Sequence, residues 1–227
     1  MPFQDLPARL AEVGERIEQA RQRGGHGQQV SIVAVTKTYG ADAVVAAFGA
    51  GVRDVGENRI QEATAKMAEV DLPVRWHLIG HLQRNKVKQL DGFHLVHSMD
   101  SGRLADALNG YGEARKTPLD VLVQVNVSGE ESKGGYEPAG MPAEAARLAT
   151  RRGLVVRGVM TMAPFDADEG TLRRVFAGAR EVGRALRSAG HPAVELSMGM
   201  SGDYEIAIEE GATLVRLGTV LFGARPA

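Results

Sequence analysis

Two hydrophobic periods take turns along the chain. Short continuous apolar runs, the mark of strands buried on both faces, alternate with stretches in which apolar residues recur every three or four positions. Leu6, Leu10, Val13 and Ile17 predict a helix over 5–22, ended by Gly24-Gly25. A first strand follows over 30–37, then a helix over 41–50 with Val44, Val45 and Phe48 on one face and Gly51 suited to its end. Strands over 52–56, 74–79 and 93–97 are separated by a helix over 59–70 and a short basic helix over 83–90. Ser101 suits the cap of the next helix, which turns Leu104, Leu108 and Tyr111 inward.

The second half repeats the theme. Strands are predicted over 121–127, 154–160, 194–198 and 213–217. Between them lie a helix carrying Met141, Ala145 and Leu148, a long one over 168–189 and a short one over 203–210. A polar loop spans 128–135, and Pro164 opens another. Strands that alternate with helices imply right-handed crossovers and a parallel sheet. Eight rounds in 227 residues fit a closed barrel better than an open sheet. No Gly-rich fingerprint follows the first strand, which counts against a dinucleotide fold. The expected fold is therefore α/β: a single (β/α)8 TIM barrel with an extra N-terminal helix, residues 1–227 forming one domain.

Composition narrows the functions. With 27 Lys and Arg against 28 Asp and Glu, the net charge is −1 and the basic residues are scattered, so no nucleic-acid footprint is expected. The absence of cysteine excludes disulfides, thiolate metal sites and a cysteine nucleophile. No basic-then-apolar leader opens the chain and no apolar run approaches a membrane span, so a cytoplasmic protein is expected.

The first strand ends in Thr36-Lys37. Lysine is costly inside a core, yet at the C-terminal end of a barrel strand it stands where ligands bind. Desolvation there favours the neutral amine, which attacks carbonyls. Taken alone, the segment reads as a strand-end lysine in solvent. Barrels of this kind commonly bind phosphate after strands seven and eight, and here those turns are Gly199-Met200-Ser201-Gly202 and Gly218-Thr219. Glycines let a backbone approach closely and helix N-termini attract anions. Ser201 suits either a helix cap or a phosphate donor, and Asp203 is expected to point away. Arg216 lies within strand eight on the face of Leu214 and Gly218. It serves either a structural pair with Asp54 or Glu57, or a ligand's ring nitrogen or anion.

His77, His81, His94 and His97 invite a metal reading, but no His-x-His pair or acidic ligand accompanies them, so hydrogen-bonded structural roles are expected. Trp76, Met160, Met162, Met198 and Met200 suit core or mouth packing. The stretch 84–88 reads as a solvated basic face. A lysine, an anion-binding turn and an interior arginine match an aldehyde, a phosphate and a ring nitrogen. Pyridoxal 5'-phosphate carries all three.

Several ordered motifs carry a resemblance over nearly the whole chain. They include Ala34-Val35-Thr36-Lys37, Gly56-Glu57-Asn58 with Gln61-Glu62, Trp76-His77-Leu78-Ile79-Gly80 and Leu82-Gln83-Arg84-Asn85-Lys86. Further on are Gln124-Val125-Asn126, Ser132-Lys133-Gly134-Gly135, Gly158-Val159-Met160, Ser197-Met198-Gly199-Met200-Ser201, Val215-Arg216-Leu217-Gly218-Thr219 and Phe222-Gly223-Ala224-Arg225. The chain resembles the pyridoxal-phosphate homeostasis proteins, whose barrel is similar to the N-terminal domain of alanine racemase. The resemblance implies a Schiff base on Lys37, phosphate contacts from Ser201, Gly218 and Thr219, Arg216 facing the pyridine nitrogen and Asn58 near the ring.

The resemblance also implies a role in vitamin B6, amino-acid and keto-acid homeostasis without established turnover. A monomer handing the cofactor to apoenzymes that require it is the expected arrangement. The chain ends soon after strand eight, so the racemase's second domain is expected to be missing. Tyr39 is then the one residue that suits a catalytic base, although Thr38-Tyr39-Gly40 reads as a turn. A weak amino-acid racemase and a Schiff-base enzyme acting on sugar phosphates are the alternatives.

Overall fold

The computed structural model describes residues 3–130 and 133–223. Ser132, Ala224 and Arg225, which belong to the motifs above, lie outside the described residues. Eight parallel strands close in sequence order: β1 Ser31–Val35, β2 Asp54–Glu57, β3 Arg75–Leu78, β4 Phe93–Met99, β5 Leu119–Gln124, β6 Leu154–Met160, β7 Glu195–Ser197 and β8 Leu214–Leu217. The seam is shut by β1 pairing with β8, with Val33 beside Arg216.

The surrounding helices are α1 Leu6–Gly24, α2 Ala41–Gly49, α3 Ile60–Glu69, α4 Gly102–Ala114, α5 Met141–Leu148, α6 Glu169–Ser188, α7 Tyr204–Glu209 and α8 Thr219–Phe222. Local chemistry sets their ends. Gly25 takes the left-handed conformation that ends α1, at φ 66°. Ser101 accepts the Leu104 N–H to cap α4, and Asp168 accepts the Thr171 N–H at 2.8 Å to cap α6. On α6, Leu172, Val175, Phe176, Ala179, Val182 and Leu186 are buried as one stripe against the barrel wall. α1, preceding the barrel, is tied to α7 by the Arg23 pairs with Glu205 and Glu209. Among the described residues no helix is long and apolar enough to cross a membrane.

Two strands end before their apolar runs do. β1 stops at Val35 and β5 at Gln124, because the chain turns toward the mouth before the apolar run ends. The basic segment is a 3-10 helix over Arg84–Gln89 rather than an α-helix, with Val87 buried. Tyr111 is half-buried and donates to Asp91 at the surface.

The lumen holds two sets of side chains of different character. Val33, Leu95, Leu122, Met160 and Leu214 form an apolar cluster inside it. Asp54, His77, His97, Ser197 and Arg216 are also buried, and their side chains are linked by hydrogen bonds. Trp76 packs outside, with Val44, Val55, Ala63 and Val70.

Candidate functional site

A cavity of about 840 Å³ opens at the C-terminal mouth of the strands. Lys37, Asn58, Ser201, Arg216, Gly218 and Thr219 all line it. The six residues singled out from sequence thus come together at one site, drawn from the ends of β1, β2, β7 and β8.

Lys37 sits in a turn held from behind. The Thr36 N–H bonds Gly56 O at 3.1 Å, which carries the ladder one step past β1, and Tyr39 N–H closes the turn on Thr36 O at 3.1 Å. Thr38 has φ 71°, a conformation that costs a β-branched residue about 1–3 kcal/mol unless its surroundings hold it. Glu62 Oε1 supplies that hold by accepting the Thr38 N–H at 2.7 Å. Lys66 Nζ, buried, donates to Thr36 O at 2.8 Å, Glu57 Oε1 at 2.6 Å and Glu62 Oε1 at 3.0 Å. Thr36 Oγ1 donates to the same Glu57 oxygen at 2.6 Å.

Burial pushes the Glu57 carboxyl up, against the pull of its hydrogen bonds from Lys66 and Thr36. Burial pushes Glu62 up as well, but the Thr38 N–H and Lys66 outweigh it and hold that carboxyl below its usual range.

Tyr39 also lines the cavity, and its own contacts hold its side chain. Its hydroxyl donates to Gly223 O at 3.2 Å, and its ring lies 5.3 Å from that of Phe222. Asn58 is placed by a close approach of backbones: a Cβ on Gly80 would come within 2.3 Å of Asn58 O.

At the opposite side, Ser201 does not cap α7. Its hydroxyl oxygen accepts instead from Gly218 N–H at 3.3 Å and Val220 N–H at 3.4 Å, the opening turn of α8. Gly199, at φ 90°, lets the turn lie close against α7, where a Cβ would meet Tyr204 Cα at 2.9 Å. Asp203 departs from expectation. It lines the cavity, its carboxylate accepts the Met200 N–H at 2.6 Å, and burial raises its pKa against that bond and the Arg216 charge.

Arg216 is not paired with Asp54 or Glu57, because those carboxylates already hold Arg75 and Lys66. Its Nη1 donates to Ser197 O and Ser197 Oγ, both at 2.7 Å, and its Nη2 to Thr161 O at 3.0 Å. Burial lowers its pKa to about 10, which leaves it a cation at neutral pH. Arginine carries five donors and no acceptor. Among the described residues none accepts from Arg216 Nε, so that edge of the guanidinium remains for a group in the cavity.

The histidines have an acidic neighbour after all: His77 Nε2 lies 2.8 Å from Asp54 Oδ1, and His77 Nδ1 lies 2.8 Å from His97 Nε2. The chain order hides this, since the carboxylate comes from the neighbouring strand. Among the described residues no cluster of His, Asp or Glu is arranged to hold a metal. His81 is exposed and faces Asp100 at 3.1 Å. Lys66 escaped the sequence reading, Glu62 and Ser197 entered it only as parts of motifs, and His97 has the hydrogen-bonded structural role expected of it. Lys66 offered one signal, a charge on the same helix face as Ile60 and Ala63, and all three are buried.

This geometry, a closed parallel barrel with a lysine, an arginine and a glycine-rich turn at its mouth, has the architecture of the alanine racemase N-terminal domain class. The family model for that domain, "Alanine racemase, N-terminal domain", matches residues 9–226. Relatives at this length share a name. The chain is 44% identical over 219 residues to the pyridoxal phosphate homeostasis protein of Pseudomonas aeruginosa, covering 95% of this chain and 94% of that one. It is 40% identical to the Aquifex aeolicus protein of the same name, covering 96% and 97%. PipY of Synechococcus elongatus, solved with pyridoxal phosphate bound, superposes with a TM-score of 0.84 at 34% identity, covering 96% of this chain and all, 100%, of that one. The chain belongs to the pyridoxal phosphate homeostasis protein family.

Proposed function

We propose that this chain holds pyridoxal 5'-phosphate reversibly, as a Schiff base on Lys37, and takes part in intracellular vitamin B6 and amino- and keto-acid homeostasis without catalytic turnover. The observation that carries the reading is the convergence of Lys37, Arg216 and the Ser201–Gly218 turn on one cavity. The residues fit the group. Ser201, Gly218 and Thr219 would hold the phosphate, Arg216 would offer its unused donors to the ring nitrogen, and Asn58 would lie near the ring.

When bound, the cofactor supplies an aldehyde for the lysine and a conjugated ring able to draw electrons. This chain's residues restrain the second property. A guanidinium that stays protonated donates to the ring nitrogen and does not protonate it, which leaves the ring a weak electron sink. Tyr39, the one candidate base named from sequence, is engaged with Gly223. Holding and releasing the cofactor is the activity these features favour, with residues 1–227 acting as one domain, as a cytoplasmic monomer, and with apoenzymes that require pyridoxal phosphate as recipients.

The test is a pair of measurements on the purified protein. Titration with pyridoxal phosphate should give saturable binding that inorganic phosphate competes for. Incubation of the loaded protein with amino acids in deuterium oxide should give no α-proton exchange above the free cofactor. Saturable binding with exchange would favour the racemase alternative. Absence of binding, with turnover of a phosphorylated aldehyde, would favour the sugar-phosphate one.

A further inference from the structure

Behind Arg216 a line of buried polar side chains crosses the barrel. Arg216 Nη1 lies 2.7 Å from Ser197 Oγ, Ser197 Oγ 2.9 Å from His97 Nδ1, His97 Nε2 2.8 Å from His77 Nδ1, and His77 Nε2 2.8 Å from Asp54 Oδ1. Asp54 Oδ2 meets Arg75 at 2.5 Å, where that side chain reaches solvent. Five strands, β2, β3, β4, β7 and β8, contribute one link each.

We propose that His97 and His77 are positioning residues for Arg216, forming with Ser197 and Asp54 a hydrogen-bond chain that runs in one direction and aims the guanidinium into the cofactor cavity. The direction follows from the two ends. Arginine only donates, so Ser197 Oγ accepts from it, and since His97 Nδ1 is the hydroxyl's one other partner among the described residues, its single hydrogen goes there. His97 Nδ1 is then an acceptor, which places the proton on Nε2, and that proton goes to His77 Nδ1. His77 in turn carries its proton on Nε2 and donates to Asp54, an acceptor only. Both imidazoles are neutral Nε2–H tautomers. Protonation or tautomer exchange at His97 is opposed, because a hydrogen on Nδ1 would turn the Ser197 hydroxyl hydrogen away from its one acceptor among the described residues.

The surroundings agree with a neutral His97. Burial pushes its pKa well down, and the charged and titratable groups that act on it, His77, Arg216 and His94, add to that. Other charged neighbours of the chain are Arg75, which pairs with Asp54 and also feels Glu195, Asp120, which acts on His94, and Asp203, which faces Arg216. Among the described residues, none of the groups that act on His97 itself is a carboxylate.

The inference rests on the proposed cofactor reading only for what Arg216 is aimed at; the chain and its direction belong to the protein without ligand. It is tested in two parts. Long-range proton–nitrogen correlation spectra of ligand-free protein, labelled with nitrogen-15 in histidine, should show His77 and His97 as Nε2–H tautomers throughout pH 6–8. A cation or an Nδ1–H tautomer at His97 would overturn the proposal.

In the second part, His97→Phe removes both links, whereas His97→Gln offers one acceptor and one donor in the same order. Pyridoxal phosphate should bind His97→Phe about tenfold more weakly, and His97→Gln should recover most of that loss. Ser197→Ala, which deletes a single oxygen and keeps the main-chain carbonyl, should weaken binding in the same direction. Wild-type affinity in folded Ser197→Ala and His97→Phe would contradict the positioning role. If the unaltered protein binds no pyridoxal phosphate, the cofactor reading fails while the tautomer spectra still decide the chain.

Discussion

Lys66 Nζ donates at 2.8 Å to the main-chain oxygen of Thr36, the residue immediately before Lys37. A lysine on one helix thereby fixes the backbone that presents another lysine to the cavity. With Glu57 and Glu62 as its counter-ions, Lys66 also braces the Thr38 N–H on the far side of Lys37. The turn therefore holds its strained conformation whether or not a ligand is present.

Removing Lys66 leaves Glu57 buried without its cation. Breaking one partner of a buried pair costs about 3–5 kcal/mol. Lys66→Met is expected to lower unfolding free energy by that order in urea, and to slow reaction of Lys37 with pyridoxal phosphate. The double variant Lys66→Met, Glu57→Leu should recover stability, since no buried charge is left alone, but not the reactivity at Lys37.

Gly199 and Gly202 are two of the glycines of one turn and should respond differently. At Gly199 the backbone is left-handed and a Cβ meets Ala207 Cβ at 2.7 Å, whereas nothing lies within 4 Å of a Cβ on Gly202. Gly199→Ala is expected to cost about 2 kcal/mol or more and to weaken binding of inorganic phosphate. Gly202→Ala should leave stability within about 0.5 kcal/mol. Thermal melts and phosphate titration check both.

Ser201 Oγ accepts two N–H groups of the α8 opening turn. Ser201→Ala removes that acceptor and is expected to cost about 1 kcal/mol, measured by urea unfolding without ligand. Saturating phosphate should restore less stability to this variant than to the unaltered protein.

Asp54 carries a pH signature. Burial raises its pKa, but Arg75 and His77 outweigh burial and hold the carboxyl well below the usual range. A carboxyl with a lowered folded pKa contributes fully above its unfolded value of about 3.9 and loses that contribution as pH falls toward the folded one. The stability difference between the protein and Asp54→Asn should be flat from pH 8 to about 5 and narrow below about 4. A difference that grows on acidification would contradict the assignment.

The barrel was legible in the sequence because a period of strands and helices is a local property. β6 matches its apolar run to the residue, Leu154–Met160, and Asp168 and Ser101 cap the helices that their positions suggest. α8 was missed because four residues, Thr219–Phe222, are too few to show a helical period. The lining of the mouth was legible too, since Lys37, Ser201, Arg216, Gly218 and Thr219 stand at strand ends and line one cavity. Its supports were not. The partners of Arg216 and Lys66 come from other elements, and His97 meets Ser197 across 100 positions of sequence. Alternation along one strand says which way a side chain points, and closure of the barrel decides what it meets.

The most direct test of the central claim is to mix the protein with pyridoxal phosphate, record the visible spectrum, reduce with borohydride and map the labelled peptide. A yellow Schiff-base band that reduces onto Lys37 alone, and is lost in Lys37→Ala, is the expected result. No band, or a label spread over surface lysines such as Lys86 and Lys88, would contradict it.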